Sequence, residues 1–441
     1  MKLHGTMKIE NNQLLIGDVS VEQLRAKYGT PLYIIDQTHF AEQANVFLTN
    51  FRSEKFQTHI SYASKAFSNL YILGLAKELG LFLDVVSGGE LYTALSAGYN
   101  PEKISFHGNN KLPEELEMVL ANDIGRIIVD HYTEYSLLSA LAAEKQKKVK
   151  VLLRINPGIE ADTHKYIQTT GKDSKFGMSI ADPVTYVLLK DMNSDPWLEL
   201  EGIHCHIGSQ ILDKEFFFRE AAAMFSFARN LLDDYSIIVR EINLGGGFGV
   251  YYTKEDQPFD YAEFLAEYIV EIERIITELD LTIDTVSIEP GRSLINASGS
   301  TLYTVGAVKQ PYQGKPFVFV DGGMTDNPRP ALYQAKYEAC LANRMQDEVT
   351  DNYRVAGKCC ETGDILIQDI ALPQAEPGDL LLIPGTGAYN YAMSSNYNRI
   401  PRPAVVFVEN GQSHLAVKRE TYEDLIRNDQ KYFADNSMQK L

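Results

Sequence analysis

The chain contains no run of about 18 apolar residues, so no membrane-spanning helix is expected. Its opening, from Met1 to Lys8, has no apolar stretch of signal-peptide length. An excess of basic residues is also missing. The 41 Lys and Arg face 59 Asp and Glu, for a net charge of −18. Phosphate contacts need clustered cations, so a nucleic-acid binder is excluded. Cysteine is scarce, with Cys205, Cys340, Cys359 and Cys360 only, and no paired C-x-x-C. No disulfide framework follows, and a reducing cytoplasmic setting is expected. There is no low-complexity segment and no short repeat. The dinucleotide fingerprint G-x-G-x-x-G does not describe the one glycine run, Gly245-Gly246-Gly247-Phe248-Gly249.

What is present is a long alternation. At 441 residues the chain is too long for one ordinary core. Eight strand-like runs are expected at 59–64, 81–87, 104–107, 126–130, 149–156, 198–206, 237–244 and 285–289. Helical patterns separate them; the one at 113–120 opens on Pro113, Glu114 and Glu115, as a helix start should. Strand and helix in eightfold repetition predict an α/β fold with a closed parallel (β/α)8 TIM-like barrel over residues 36–291. Beyond Arg292 the runs become short, β-rich and separated by Gly, Pro and Asp turns. An antiparallel β-sandwich or barrel domain is expected there, made of 292–441 and joined by 1–35, which carries strand-like pieces at 14–16 and 32–35.

On a barrel, the strand ends converge on one catalytic face. Lys65 stands at the first, in His59-Ile60-Ser61-Tyr62-Ala63-Ser64-Lys65, with Ile60 and Tyr62 as strand formers before the helical run from Asn69. A desolvated lysine there can form a Schiff base with an aldehyde cofactor; a solvated loop lysine is the alternative. The glycine run follows strand 7 and suits either a tight turn or an anion cradle, since glycines let backbone N–H groups approach a phosphate. Glu289-Pro290-Gly291-Arg292 ends strand 8. Glu289 could keep a pyridine nitrogen protonated, or pair with Arg292. In His204-Cys205-His206, alternation puts the histidines on one face and the cysteine on the other. The three therefore do not suit one metal, and no metal is expected; His206 can stack on a flat ring. Cys359-Cys360-Glu361 offers either a buried inert thiol or a proton donor, because an acidic neighbour favours the protonated form. A tyrosine hydroxyl of the Tyr/Asn-rich segment after Gly387-Ala388-Tyr389 could reach a phosphate.

Together these motifs resemble the diaminopimelate decarboxylase family, pyridoxal-phosphate enzymes of alanine-racemase-like fold. The likeness runs from about residue 30 to 425, and also through Asp84-Val85-Val86-Ser87-Gly88-Gly89, His107-Gly108-Asn109-Asn110-Lys111, Arg154-Ile155-Asn156-Pro157-Gly158 and Ser174-Lys175-Phe176-Gly177. The resemblance implies pyridoxal 5'-phosphate on Lys65, with His206 on its ring, Ser209 near it and Glu289 at its nitrogen. Gly245, Gly246, Gly247, Pro290, Gly291, Arg292 and Tyr389 would surround the phosphate. It implies a head-to-tail homodimer with shared sites, in which Cys360 of the partner returns a proton after carbon dioxide leaves. Diaminopimelate needs a cation and an anion at its far end. Arg329 and Tyr333 suit the distal carboxylate, Arg by its planar fork; Glu361 suits the distal ammonium, and Arg292 and Tyr389 complete the substrate site. The family usually reads Gly-Pro-x-Cys-Glu-Ser, whereas Gly357-Lys358-Cys359-Cys360-Glu361-Thr362 stands here. Decarboxylases of carboxynorspermidine, arginine or a modified lysine precursor, a racemase, and a cofactor-binding regulator without turnover are the alternatives.

Overall fold

The computed structural model describes residues 1–159 and 174–432. Three short strands open the chain: β1 (Lys8–Glu10), β2 (Gln13–Ile16) and β3 (Val19–Ser20) form a small antiparallel sheet. The strand-like piece at 14–16 therefore lies in a sheet of its own, and β4 (Leu32–Asp36) enters the large C-terminal sheet.

Eight parallel strands then close on themselves: β5 (Gln57–Ala63), β6 (Phe82–Val85), β7 (Ile104–Phe106), β8 (Arg126–Val129), β9 (Val149–Asn156), then, after the short β10 (Met178–Ser179) beside β9, β11 (Leu198–His204), β12 (Glu241–Asn243) and β13 (Thr285–Ile288). Closure is completed by β13 on β5 and β8 on β9. All eight expected strands are present. The seventh is shorter than the apolar run at 237–244 suggests. Ile237 and Val239 are buried in the core beside it, so the run's hydrophobicity reflects burial as well as pairing.

Sequence-local chemistry fixes the segments after these strands. Asn69 caps the helix Leu70–Glu78 by accepting from the Ile72 N–H at 3.0 Å. Ser87 caps Gly88–Ser96 in the same way. The turn Ser64–Ala66 carries Lys65 and is tied down by Ser64 Oγ donating to Glu90 at 2.9 Å. Glu90 also accepts from the Val86 N–H at 2.8 Å, so one carboxylate links the ends of β5 and β6.

The second sheet runs through β14 (Gly299–Lys309), β15 (Phe317–Val320), β16 (Cys340–Leu341), β17 (Asp351–Ala356), β18 (Ile365–Leu372), β19 (Leu380–Pro384), β20 (Ala404–Glu409) and β21 (Gln412–Val417). It is mostly antiparallel, with two parallel pairs, β4 with β20 and β15 with β17. Those partners lie far apart in the chain, so no tight hairpin dictates their direction. Leu14, Ile16 and Leu24 pack on Leu302, Leu382 and Val406, which binds the N-terminal segment to this sheet. The loop after β19 returns to the barrel, where the Tyr389 N–H donates to the Ala66 carbonyl at 2.8 Å. That bond holds Tyr389 against the turn of Lys65. No helix among the described residues is long and apolar enough to cross a membrane.

Candidate active site

A cavity of about 710 Å³ opens at the strand ends, between barrel and sheet. Lys65, His107, Arg154, His206, Glu289 and Arg292 line it from the barrel, and Arg329, Tyr333 and Tyr389 from the C-terminal part. Lys65, His206, Ser209, Gly246, Gly247, Glu289, Gly291, Arg292 and Tyr389 also surround a small recess at its base.

Lys65 is half-buried, and its Nζ stands 3.8 Å from the buried carboxylate of Asp84. The desolvation expected from the sequence is outweighed. Burial favours the neutral amine, but Asp84, then Tyr389 and Glu289, leave its pKa above the ordinary lysine value.

Three groups surround Glu289: Asn243 Nδ2 donates to it at 2.8 Å, His204 Nε2 is hydrogen-bonded to it at 3.1 Å, and His107 Nε2 stands 3.0 Å away. Burial alone would raise its pKa, yet the two rings hold it well below the usual carboxylate range. Burial lowers His204 to about 4, so that ring is neutral. The polar contacts of Glu289 are thus to these residues, and Arg292 turns elsewhere: its Nη2 donates to Ser209 Oγ at 2.9 Å and its Nη1 to the Tyr252 hydroxyl. The alternation read in His204-Cys205-His206 holds. His206 lines the cavity, while Cys205 faces outward and donates to the buried Glu220 at 2.9 Å. Burial, with Lys65 and Arg154 nearby, keeps the His206 pKa well below its ordinary value.

The glycines are where the backbone has no room. A Cβ on Gly245 would stand 2.3 Å from the Cys205 carbonyl, and one on Gly246 would stand 2.1 Å from that of Glu289. Gly245 also has φ +62°, a conformation that favours glycine. Pro290 fixes the neighbouring wall, its carbonyl accepting from the Ala63 N–H at 3.1 Å. Tyr389 takes φ 62°, rare for a bulky residue, and lays its ring 4.7 Å from the Arg292 guanidinium carbon.

The comparisons with known proteins agree with this geometry. Residues 38–296 match the family model described as pyridoxal-dependent decarboxylase, pyridoxal binding domain. The diaminopimelate decarboxylase of Bacillus subtilis is 49% identical over 97% of this chain and 98% of its own length. That of Bacillus methanolicus is 48% identical over 95% of this chain and 98% of its own length. The chain belongs to the diaminopimelate decarboxylase family. A crystal structure of the M. jannaschii family member in complex with L-lysine superposes with a TM-score of 0.91 at 33% identity, covering 98% of this chain and 99% of the other. Members of this family are pyridoxal-phosphate-dependent carboxy-lyases, and pyridoxal 5'-phosphate is the cofactor here.

The residues present fit that group. Gly246, Gly247 and Gly291 line the recess at positions where a Cβ would clash with neighbouring atoms, so the wall there is bare backbone, and Arg292 supplies a cation at its rim. Ser293 Oγ is buried in the same recess without a hydrogen-bond partner, as an atom waiting for an anionic oxygen would be. The ionised Glu289 faces the cavity, as a partner for a ring nitrogen should.

Two expected site residues are not brought in. Cys360 and Glu361 are exposed and do not line the cavity of their own chain. The Cys360 N–H donates to Asn398 at 2.7 Å, and Tyr397 reaches Glu361 at 3.4 Å. The two adjacent thiols are nevertheless told apart. Cys359 is buried, and burial with Asp364 pushes it up to about 11, which makes it the inert one. Asn243, Tyr252 and Tyr337 were missed as site residues, and Asp84, His107 and Arg154 were noted only within matching segments. His107 at a strand end was the clearest available signal. Tyr252 and Tyr337 carry none, because nothing in the sequence says which loop tyrosines turn inward.

Proposed function

We propose that the enzyme decarboxylates meso-2,6-diaminopimelate to L-lysine and carbon dioxide in this cavity. The observation that carries the reading is a pair of buried cations without counter-ions. Among the described residues, Arg292 and Arg329 meet hydroxyls and ring faces, those of Ser209, Tyr252, Tyr337 and Tyr389, and no carboxylate. Buried guanidiniums left unpaired are costly, so the cavity is built to receive anions at both ends. One end takes the cofactor phosphate and the reacting head of the substrate, at Arg292 and Tyr389. Arg329 and Tyr333 take the distal carboxylate. A substrate with no distal carboxylate would leave Arg329 unsatisfied.

The cofactor, when bound, supplies an electron-accepting ring. The chain does the rest. Lys65 would hold the cofactor through its amine, with Asp84 3.8 Å away to balance that amine's charge. His206, kept neutral by burial, would offer a flat face to the ring. Glu289, ionised at neutral pH, would face the ring nitrogen and favour its protonated form. We infer that the working form is a homodimer whose partner subunit brings Cys360 and Glu361. Their exposure outside their own cavity supports this, Cys360 then delivering a proton to the α-carbon and Glu361 meeting the distal ammonium. Residues 36–291 form the cofactor-binding unit in this reading, and 1–35 with 292–441 the β-rich unit. Four free cysteines and the anionic surface suit a cytoplasmic enzyme.

The test is Arg329→Ala. Its kcat/KM for diaminopimelate should fall about a hundredfold to a thousandfold, the cost of stranding a buried carboxylate. An unchanged value would sink the assignment.

A further inference from the structure

We propose that Asp364 is a positioning residue that fixes the turn bearing Cys360, and that it therefore acts on the partner's cavity and not on that of its own chain. It lies between β17 and β18, buried, four residues after the thiol. Its carboxylate spans two segments. Oδ2 accepts from the Cys359 N–H at 2.8 Å, and Oδ1 accepts from the Met324 N–H at 2.7 Å. Two glycines make the room. A Cβ on Gly357 would stand 2.3 Å from Oδ2, and one on Gly323 would stand 2.5 Å from the same atom.

Three successive N–H groups lead up to the thiol. That of Lys358 donates to the Gly322 carbonyl at 2.8 Å, that of Cys359 to Asp364, and that of Cys360 to Asn398 at 2.7 Å. Asp364 supplies the middle bond, and its own N–H closes the turn on the Glu361 carbonyl at 3.1 Å. The segment on its other side leads to Arg329, but that segment has anchors of its own. The Gly323 N–H donates to Asp326 at 2.9 Å, and the Thr325 carbonyl accepts from the Ser395 N–H at 2.9 Å. Arg329 itself donates to the Tyr337 hydroxyl at 2.6 Å. Losing the Asp364 carboxylate thus frees the Cys360 turn more than the Arg329 segment. A buried N–H left without its acceptor is costly, so the turn shifts to find one. A proton donor displaced by about 1 Å loses about a hundredfold in rate.

This role rests on Cys360 serving the partner's cavity. Asp364→Ala should lower kcat about tenfold to a hundredfold. Added to Cys360→Ala in one chain, it should cost less than about threefold more, because both changes act through one thiol. A fully multiplied loss marks an independent structural defect and overturns the proposal. The second measurement is lysine formation by cofactor-loaded enzyme refolded from pairs of variants. Asp364→Ala with Lys65→Ala should recover about a quarter of wild-type activity, since the mixed dimer holds one site with neither defect. Asp364→Ala with Cys360→Ala should give only the average of the two alone, since both defects lie on the donated turn. The reverse pattern, or recovery in neither pair, overturns the proposal. If Asp364→Ala does not fold, D364N decides with the same outcomes, because its amide puts a donor where one oxygen accepted. Lys65→Ala with Cys360→Ala tests the underlying reading separately. Without recovery there the shared site falls, and this role with it. Recovery there, with none between Asp364→Ala and Lys65→Ala, removes the role of Asp364 alone.

Discussion

Lys65→Ala is expected to lower turnover by roughly four to six orders of magnitude, the scale on which removal of a covalent catalytic group acts. The size follows from what the site offers in its place. Among the described residues, Lys65 is the one lysine that lines both the cavity and its recess. Asp84 stands 3.8 Å from its amine, so the variant loses a cation and leaves a buried carboxylate with its nearer remaining neighbour His107, 3.6 Å away. The fold should survive, because the Ser64–Glu90 bond and the Tyr389–Ala66 bond hold the turn without the lysine side chain. The checks are carbon dioxide release and the visible absorbance of the lysine-bound cofactor. Both should vanish in the variant while its circular dichroism stays that of the wild type. Turnover within tenfold of wild type would show that Lys65 is not the anchor.

The barrel was legible because its strands are buried on both faces and read as apolar runs punctuated by polar ends. Strands such as Ile127–Val129 and Val151–Leu153 are hydrophobic throughout, as parallel strands are. The covalent and anionic parts of the site were legible for a related reason. Lys65, Gly245–Gly247 and Glu289–Arg292 sit at strand ends, where topology alone brings them together. The residues that tune them were not. His107, His204 and Asn243 come from three different strands, and only closure of the barrel sets all three on the Glu289 carboxylate. The raised pKa of Lys65 was also invisible. It depends on Asp84, a strand away, and sequence alone suggests desolvation without the counter-charge. The sheet directions were the least legible part, because β4 and β20 are paired by folding rather than by a turn between them.

Cys360→Ala should lower turnover by about a hundredfold to ten-thousandfold, the range for a positioned proton donor, and the loss should be repairable by a second, differently disabled subunit. The reasoning is geometric. Lys65 lies in the cavity of its own chain, whereas Cys360 is exposed outside it. If the site is shared, a dimer of one Lys65→Ala and one Cys360→Ala chain holds one site with both defects and one with neither. Random reassortment makes half of the dimers mixed, so an equal mixture should regain about a quarter of wild-type activity. Two variants that fail within a single chain could only add their residual rates. The measurement is lysine formation after denaturing and refolding the two variants together, beside each refolded alone. Recovery near a quarter places Cys360 across the subunit boundary; no recovery above the sum confines it to its own chain. Cys359→Ala is the control, since this thiol is buried and lines neither the cavity nor its recess, and its loss should leave the complementation unchanged.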